Sequence, residues 1–300
     1  MTAFPDEMAA CAADIEQALE RLLQERGLPG PGVPPERLLA ALRHGTLNGG
    51  KRLRPLLLRQ AARVFGLPAE HSLAAGLAVE MLHCYSLVHD DLPAMDDDDL
   101  RRGRPTVHKA YDDATAILAG DALLTHSFGL LAEESCHPDP AVRVALVAEL
   151  AAGAGAAGMV GGQMRDVEGE TGSLSESAVA AMQAMKTGAL IRAAVRMGAI
   201  LGGADARALS ALTAYAEAAG RAFQLADDLL DVTASPEAMG KRTGKDAAKG
   251  KQTLVALLGV EAARAQLEAI VADALTALRT FGPKADGLRD TARYFATRGN

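Results

Sequence analysis

Read as apolar and polar positions, the chain is helical almost from end to end. Ile15, Leu19, Leu22 and Leu23 recur at three- and four-residue spacing within residues 7–26, the period of an amphipathic helix. "GLPGPGVPPERLL" interrupts that pattern, and a new helix is expected to start around its two adjacent prolines, because proline suits a first turn and breaks an interior. Another is expected from Pro55, after the loop "NGGKRLR". "AEHSLAAGLAVEMLHCYSLVHDD" is apolar nearly all round, which predicts a central, buried helix delivering Asp90 and Asp91 at its C-terminal end. Further helices are read over 114–134, 140–164, 177–201, 211–232 and 253–281. No linker or low-complexity segment divides them, so residues 1–300 are expected to form one all-α domain of about ten helices joined by short Gly/Pro turns.

Composition agrees. With 49% hydrophobic residues, 3% aromatics and no Trp, strand formers are scarce and helix formers dominate. A net charge of -7 argues against a nucleic-acid partner, whose phosphates require a basic footprint. Cys11, Cys84 and Cys136 are odd in number and follow no metal-ligand spacing, as free thiols in a reducing compartment would. The N-terminus carries acids where a signal peptide carries bases, and no uncharged apolar run reaches the roughly 18 residues of a membrane span. A cytoplasmic protein without a membrane span is expected.

Two motifs mislead. "GAGAAG" at 153–158 matches the dinucleotide fingerprint, but "DPAVRVALVAEL" before it reads as a helix capped by Asp139 with Pro140 at its first position. Small residues for close helix packing explain it better. "GKRTGKDAAKGK" lacks the spacing of a phosphate-binding P-loop, and none of its Gly-Lys pairs is followed by Ser or Thr.

The charges carry the chemistry. "LVHDDLPAMDDDDLRRGRPTVHK" crowds six aspartates into 87–109, and "FQLADDLLD" adds Asp227, Asp228 and Asp231. Offsets of three and four place Asp231 on the helix face of the other two. Carboxylates so close repel one another unless cations neutralise them, and hard oxygen ligands without His or Cys suit Mg²⁺, which also takes substrate phosphates. Asp90 and Asp96 would lie on different faces of a straight helix, but Pro93 should end the helix and let the segment fold back. Spacing does not decide which of Asp96 to Asp99 would reach a metal.

Three basic segments accompany these acids: "GGKRLRP" with Lys51 and Arg54, the pair Arg101 and Arg102, and the loop at 240–251. Gly49 and Gly50 would let backbone approach an anion closely. Six carboxylates carry about -6 and three Mg²⁺ about +6, leaving a bound diphosphate for the basic residues to balance. Metal-assisted departure of diphosphate fits this set, and no Ser-His-Asp, Cys-His or zinc arrangement competes.

"GGKRLRP", "HDDLPAMDDDDLRRGRPTVHK", "GMVGGQMRDVEGE", "KTGAL", "FQLADDLLDV" and the closing basic loop stand in the order and spacing of the trans-prenyl diphosphate synthases. The chain resembles that family over 45–300, and within it the bacterial farnesyl-forming members. The resemblance implies an isoprenoid-synthase-type bundle around a central cavity, with the two aspartate-rich segments facing each other at its mouth, and a homodimer. It implies about three Mg²⁺ ions, held by Asp90, Asp91 and Asp96 and by Asp227 with its neighbours Asp228 and Asp231. Arg101, Lys186 and Lys241 would grip an allylic diphosphate. Gly50, Lys51, Arg54, His83 and Arg102 would hold isopentenyl diphosphate. Thr187 and Gln224 would line the reacting carbons, Gln163 and Asp166 the cavity, Lys251 would help close it, and Arg298 would reach toward isopentenyl diphosphate.

The implied reaction is head-to-tail condensation of isopentenyl diphosphate with dimethylallyl or geranyl diphosphate. Tyr85, five residues before Asp90, would form the cavity floor and limit the product to farnesyl diphosphate, while Ser86 would not block it. Geranylgeranyl diphosphate is the alternative product. A terpene cyclase would not need Lys51, Arg54 and Arg102, and a non-catalytic partner subunit would not need both acid clusters.

Overall fold

A computed structural model describes residues 4–24, 27–28, 30–169, 175–233 and 253–297. Lys241, Lys251 and Arg298 lie outside the described residues. The chain is all-α; its only strands among the described residues are the antiparallel pair β1 (Leu100–Arg101) and β2 (Arg104–Pro105). The chain packs as two compact units, 1–59 with 69–147 and 60–68 with 148–300.

The first unit contains α1 (Phe4–Leu22), α2 (Glu36–Thr46), most of α3 (Leu53–Val64), α4 (Leu73–Asp90), α5 (Val107–Ala110) and α6 (Asp113–Ala132). α4 is buried from Ala75 to Leu82, as its continuous apolar pattern requires. It packs on α6, where Gly120 leaves room for the His89 ring: a Cβ there would stand 2.0 Å from His89 Nε2. Ile15, Leu19, Leu42, Leu56, Leu57, Met81, Leu82 and Leu123 fill this core. Each such side chain contributes about 1.5–3 kcal/mol by leaving water.

α7 (Pro140–Ala154) begins as foreseen, with Asp139 Oδ1 accepting from Ala141 N–H at 2.8 Å. The second unit continues with α8 (Met159–Gly169), α9 (Glu176–Gln183), a π-helical turn at Ala184–Gly188, α10 (Ala189–Leu201), α11 (Ala206–Thr233), α12 (Leu254–Leu258), α13 (Val260–Ala277) and α14 (Asp286–Thr297). α11 packs against α10, α13 and α14. Buried Tyr215 on α11 ties down the last helix by donating to the Leu288 carbonyl at 2.8 Å.

The structure refines the element boundaries. α3 starts at Leu53, so Pro55 lies in the first turn, where no intrahelical N–H bond is lost. The single stretch expected over 140–164 breaks after Ala154: a Cβ on Gly158 would meet the Gly153 carbonyl at 2.2 Å. Gly153 does serve close packing, since a Cβ there would stand 2.7 Å from the Ala193 methyl. Gly259, at φ 82, splits 253–281 into α12 and α13. The helix α14 was not anticipated, although Leu288, Thr291, Ala292 and Phe295 bury one face at helical spacing.

Two stretches, Asp113–Ala132 and Pro140–Gly169, are long and apolar enough to cross a membrane by length and composition alone, although charged residues interrupt both. The first packs on α4, and the second is interrupted between α7 and α8.

Candidate active site

The first acidic segment folds back as Pro93 suggested. α4 ends at Asp90, and Asp96 N–H donates to the Asp90 carbonyl at 2.8 Å. Asp97 N–H donates to Leu92 O at 3.1 Å and Asp98 N–H to Asp91 O at 3.2 Å, with Asp97 in the left-handed region at φ 48. Asp96 is thereby returned beside the end of α4. Asp91 is buried, and both its oxygens accept from Arg101: Nε reaches each at 2.9 Å and Nη2 reaches Oδ1 at 2.6 Å. Burial pushes the Asp91 carboxyl up while Arg101 pulls it down; burial opposes the Arg101 charge, which Asp91 restores and holds above its ordinary value.

Arg101 and Arg104 pair across the hairpin, and the connecting Arg102 and Gly103 are both left-handed, at φ 53 and 76. Such two-residue turns match strand twist. The turn sends Arg102 to Asn48 Oδ1, 3.0 Å away, and to the Gly49 carbonyl. Gly50 has φ 123, and a Cβ on it would lie 2.3 Å from Arg102 Nη1. The glycines expected to admit an anion thus first admit a guanidinium.

Beneath this loop Arg52, itself at φ 45, is 3% exposed. It donates to Glu80 at 2.7 Å, to Glu16 at 2.6 Å and to the Thr46 carbonyl at 2.6 Å. Arg54 has a buried Nε without a hydrogen-bond partner, and burial lowers its pKa. Desolvation, then the charges of Arg54 and Arg102, hold His83 well below the usual histidine range. Lys51 is exposed. Tyr85 is buried with its ring edge-to-face on His89 at 5.4 Å, and Ser86 donates to the His83 carbonyl at 2.8 Å.

In the second unit the remaining residues collect around the π turn. π turns widen a helix locally and recur where side chains must be re-aimed. This one is accommodated by glycines on two neighbours: a Cβ on Gly162 would meet Lys186 N at 2.1 Å, and one on Gly220 would meet Gly188 Cα at 3.0 Å. Lys186 donates to buried Asp166 at 2.7 Å. Thr187 donates to Gln224 Oε1 at 2.8 Å, and Gln224 Nε2 donates to Asp228 Oδ1 at 2.8 Å. Gln183 Nε2 takes the other Asp228 oxygen, also at 2.8 Å. Asp228 is therefore buried, whereas Asp227 is exposed and Asp231 half-buried.

Sequence reasoning passed over Arg52, Asn48 and Gln183. Arg52 lay inside a quoted motif but carried no signal separating it from its basic neighbours; Asn48 and Gln183 are ordinary polar residues until their partners are seen. Among the described residues, no group of three or more His, Cys, Asp or Glu side chains is gathered where one metal ion could sit. The donor chemistry still suits Mg²⁺, which keeps several waters and binds one or two carboxylates plus phosphates.

The polyprenyl synthetase family model matches residues 35–280. The chain belongs to the polyprenyl synthetase family. It is 44% identical over 281 residues to the farnesyl diphosphate synthase of Escherichia coli strain K12, covering 92% of this chain and 91% of that one. Among solved structures it resembles an apo FPP/GFPP synthase from Zymomonas mobilis, at TM-score 0.85 and 42% identity over 98% of this chain and 99% of that one. It also resembles a geranyltransferase from Helicobacter pylori complexed with magnesium and isoprenyl diphosphate, at TM-score 0.82 and 31% identity over 98% and 97% of the two chains.

Proposed function

We propose that this prenyltransferase joins isopentenyl diphosphate head-to-tail to dimethylallyl or geranyl diphosphate, with farnesyl diphosphate as its main product. The observation that carries the reading is the pairing of two carboxylate sets with two cationic settings: the Arg101–Arg102 hairpin above a buried, unpartnered Arg54 Nε, and Lys186 held by Asp166. Asp90, Asp96, Asp227 and Asp231 would hold Mg²⁺, about three ions as the family resemblance implies. Bound there, Mg²⁺ neutralises charge on a departing diphosphate. Asp91 joins only when Arg101 releases it, while Asp228 stays with its two glutamines.

Arg101, Lys186 and Lys241 bind the allylic diphosphate; Gly50, Lys51, Arg54, His83 and Arg102 bind isopentenyl diphosphate. The allylic carbon–oxygen bond breaks with its electron pair leaving on diphosphate. The alkene of isopentenyl diphosphate then forms the new carbon–carbon bond, and a proton is lost to the released diphosphate. The Thr187 hydroxyl and the Gln224 carbonyl stabilise the positive charge between those events. Lys251 helps exclude water from it, and Arg298 reaches toward isopentenyl diphosphate. A homodimer in the cytoplasm completes the reading; α6 leaves Ile117 and Leu118 exposed as apolar surface for a second copy.

Labelled isopentenyl diphosphate with Mg²⁺ and each allylic substrate, followed by product chromatography, tests the reaction. Asp90→Ala and Asp227→Ala should each lower turnover more than a hundredfold, or about 2.7 kcal/mol of barrier, with melting unchanged. Retention of over about a tenth of the rate, roughly 1.4 kcal/mol, would sink the metal assignment. Tyr85→Ala should lengthen the product toward geranylgeranyl diphosphate by removing a ring from the cavity floor. Mass spectrometry showing an unchanged distribution would remove Tyr85 from that role.

A further inference from the structure

The π turn and α11 share a chain of side chains whose polarity is fixed from one end. An ionised carboxylate can only accept hydrogen bonds. Asp228, buried and accepting from two amides, therefore compels both Gln183 and Gln224 to present NH₂ to it. Once its nitrogen is committed, Gln224 must turn its carbonyl the other way, where Thr187 finds it at 2.8 Å. A carbonyl oxygen keeps a second lone pair after accepting one bond. The end of Gln224 that faces away from Asp228 is thus its negative end.

We infer that Asp228 is a positioning residue that sets the sign of the Gln224 amide dipole, and that Gln183 is its counterpart, holding the second carboxylate oxygen so that the first stays on Gln224. The inference rests on the proposed reaction, in which the Gln224 carbonyl meets developing positive charge. An inverted amide would offer N–H to a cation and repel it. Preorganised dipoles of this kind act without reorganisation during the reaction. Gln183 touches no reacting atom; it acts through Asp228.

The geometry makes an unusual demand on double substitutions. In Asp228→Asn, the new amide can satisfy both glutamines only if one of them inverts. Inverting Gln183 is harmless, whereas inverting Gln224 reverses the catalytic dipole, so both arrangements are populated. Adding Gln183→Glu removes the choice. The carboxylate it places at position 183 accepts only, so the amide nitrogen introduced at position 228 must face it. The oxygen of that same amide must then face Gln224, which restores the native orientation without a carboxylate at position 228. Gln183→Glu alone sets a half-buried carboxylate against the buried one of Asp228, which is costly.

Four proteins are compared: wild type, D228N, Q183E and Q183E/D228N, each checked for folding by its melting curve. We expect kcat to fall roughly tenfold in D228N and about a hundredfold in Q183E, and the pair to recover to within a few-fold of wild type, with KM for isopentenyl diphosphate little changed. The Mg²⁺ concentration for half-maximal activity should be the same in wild type and the pair. Calorimetry adds a readout that needs no turnover: an allylic diphosphate analogue with an ammonium nitrogen at the reacting carbon should outbind its neutral carbon isostere. That preference should shrink in D228N and return in the pair. If Q183E/D228N is no better than D228N, or if D228N shifts the Mg²⁺ requirement, Asp228 serves as a metal ligand and the inference falls. If wild type itself fails to condense the two diphosphates, the functional reading fails instead, whatever the variants do.

Discussion

The two sets of candidate residues, one in each unit, are built by opposite means. In the first unit the functional groups ride on loops: the acidic segment after α4, the hairpin turn, and the Gly49–Lys51 approach to α3. All three non-glycine residues with positive φ among the described ones, Arg52, Asp97 and Arg102, lie there. Left-handed backbone costs about 1–2 kcal/mol per residue and persists only where surrounding contacts over-determine it. Here charges do so, through Arg101 on Asp91, Arg102 on Asn48, and Arg52 on Glu80 and Glu16. In the second unit every described group rides on a helix, and shape does the work, with glycines on α8 and α11 flanking a π turn. The loop half should fail when a charge is removed; the helix half should fail when a methyl is added.

The largest expected effect breaks the loop half. Arg52→Ala leaves Glu80, 2% exposed, without its guanidinium. Removing one partner of a buried pair costs about 3–5 kcal/mol, because the other charge stays buried. Chemical denaturation should show that loss. Arg52→Met with Glu80→Leu should recover most of it, since replacing both charges by apolar groups is often neutral. If the pair is as unstable as Arg52→Ala, the loop is not held by the ion pair.

A smaller effect is expected in the helix half. Gly162→Ala places a methyl against backbone, at Lys186 N, and Gly220→Ala does so less severely at Gly188 Cα. Overpacking costs about 1–3 kcal/mol, so Gly162→Ala should be the worse of the two. Activity should fall further than stability, because Lys186 and Thr187 move with the turn and a displacement of about 1 Å can cost a hundredfold. KM for isopentenyl diphosphate should stay nearly constant. A stable Gly162→Ala protein of normal kcat would show that the turn tolerates displacement.

Legibility in the sequence follows the same division. Helical spacing placed Asp227, Asp228 and Asp231 together, and "KTGAL" and "FQLADDLLD" were continuous helical patterns whose packing needed no loop geometry. What spacing could not reveal was that Asp228 turns inward, because burial of one carboxylate depends on Gln183, 45 positions away. In the loop half, Pro93 announced a fold-back but not its register, which a backbone bond from Asp96 to Asp90 sets. The role of Arg52 was illegible, since nothing in "GGKRLRP" separates the arginine that is buried from those that are not. The helix α14 is legible, because its apolar period at Leu288, Ala292 and Phe295 is plain.

The smallest expected effect sharpens the comparison through pH. Among the residues assigned to isopentenyl diphosphate, His83 is held well below its ordinary pKa by desolvation and by the charges of Arg54, Arg102, Arg101 and Arg52. The unfolded chain takes up this proton near pH 6.5, while the folded protein does not. Below about pH 6.5 the unfolded state therefore binds more protons, so folding stability falls as pH falls, by at most about 1.4 kcal/mol per pH unit from this group. His83→Gln removes that contribution, and the melting-temperature gap between wild type and variant should shift in the variant's favour from pH 7.5 to pH 5. Acidic groups common to both proteins cancel in that difference. Inorganic diphosphate should weaken the trend, because an anion among these guanidiniums offsets the charge that keeps His83 neutral. Parallel melting curves across that range would mean that His83 takes no part in acid sensitivity. A trend unmoved by diphosphate would place the anion away from His83, and with it the assignment of this half to isopentenyl diphosphate.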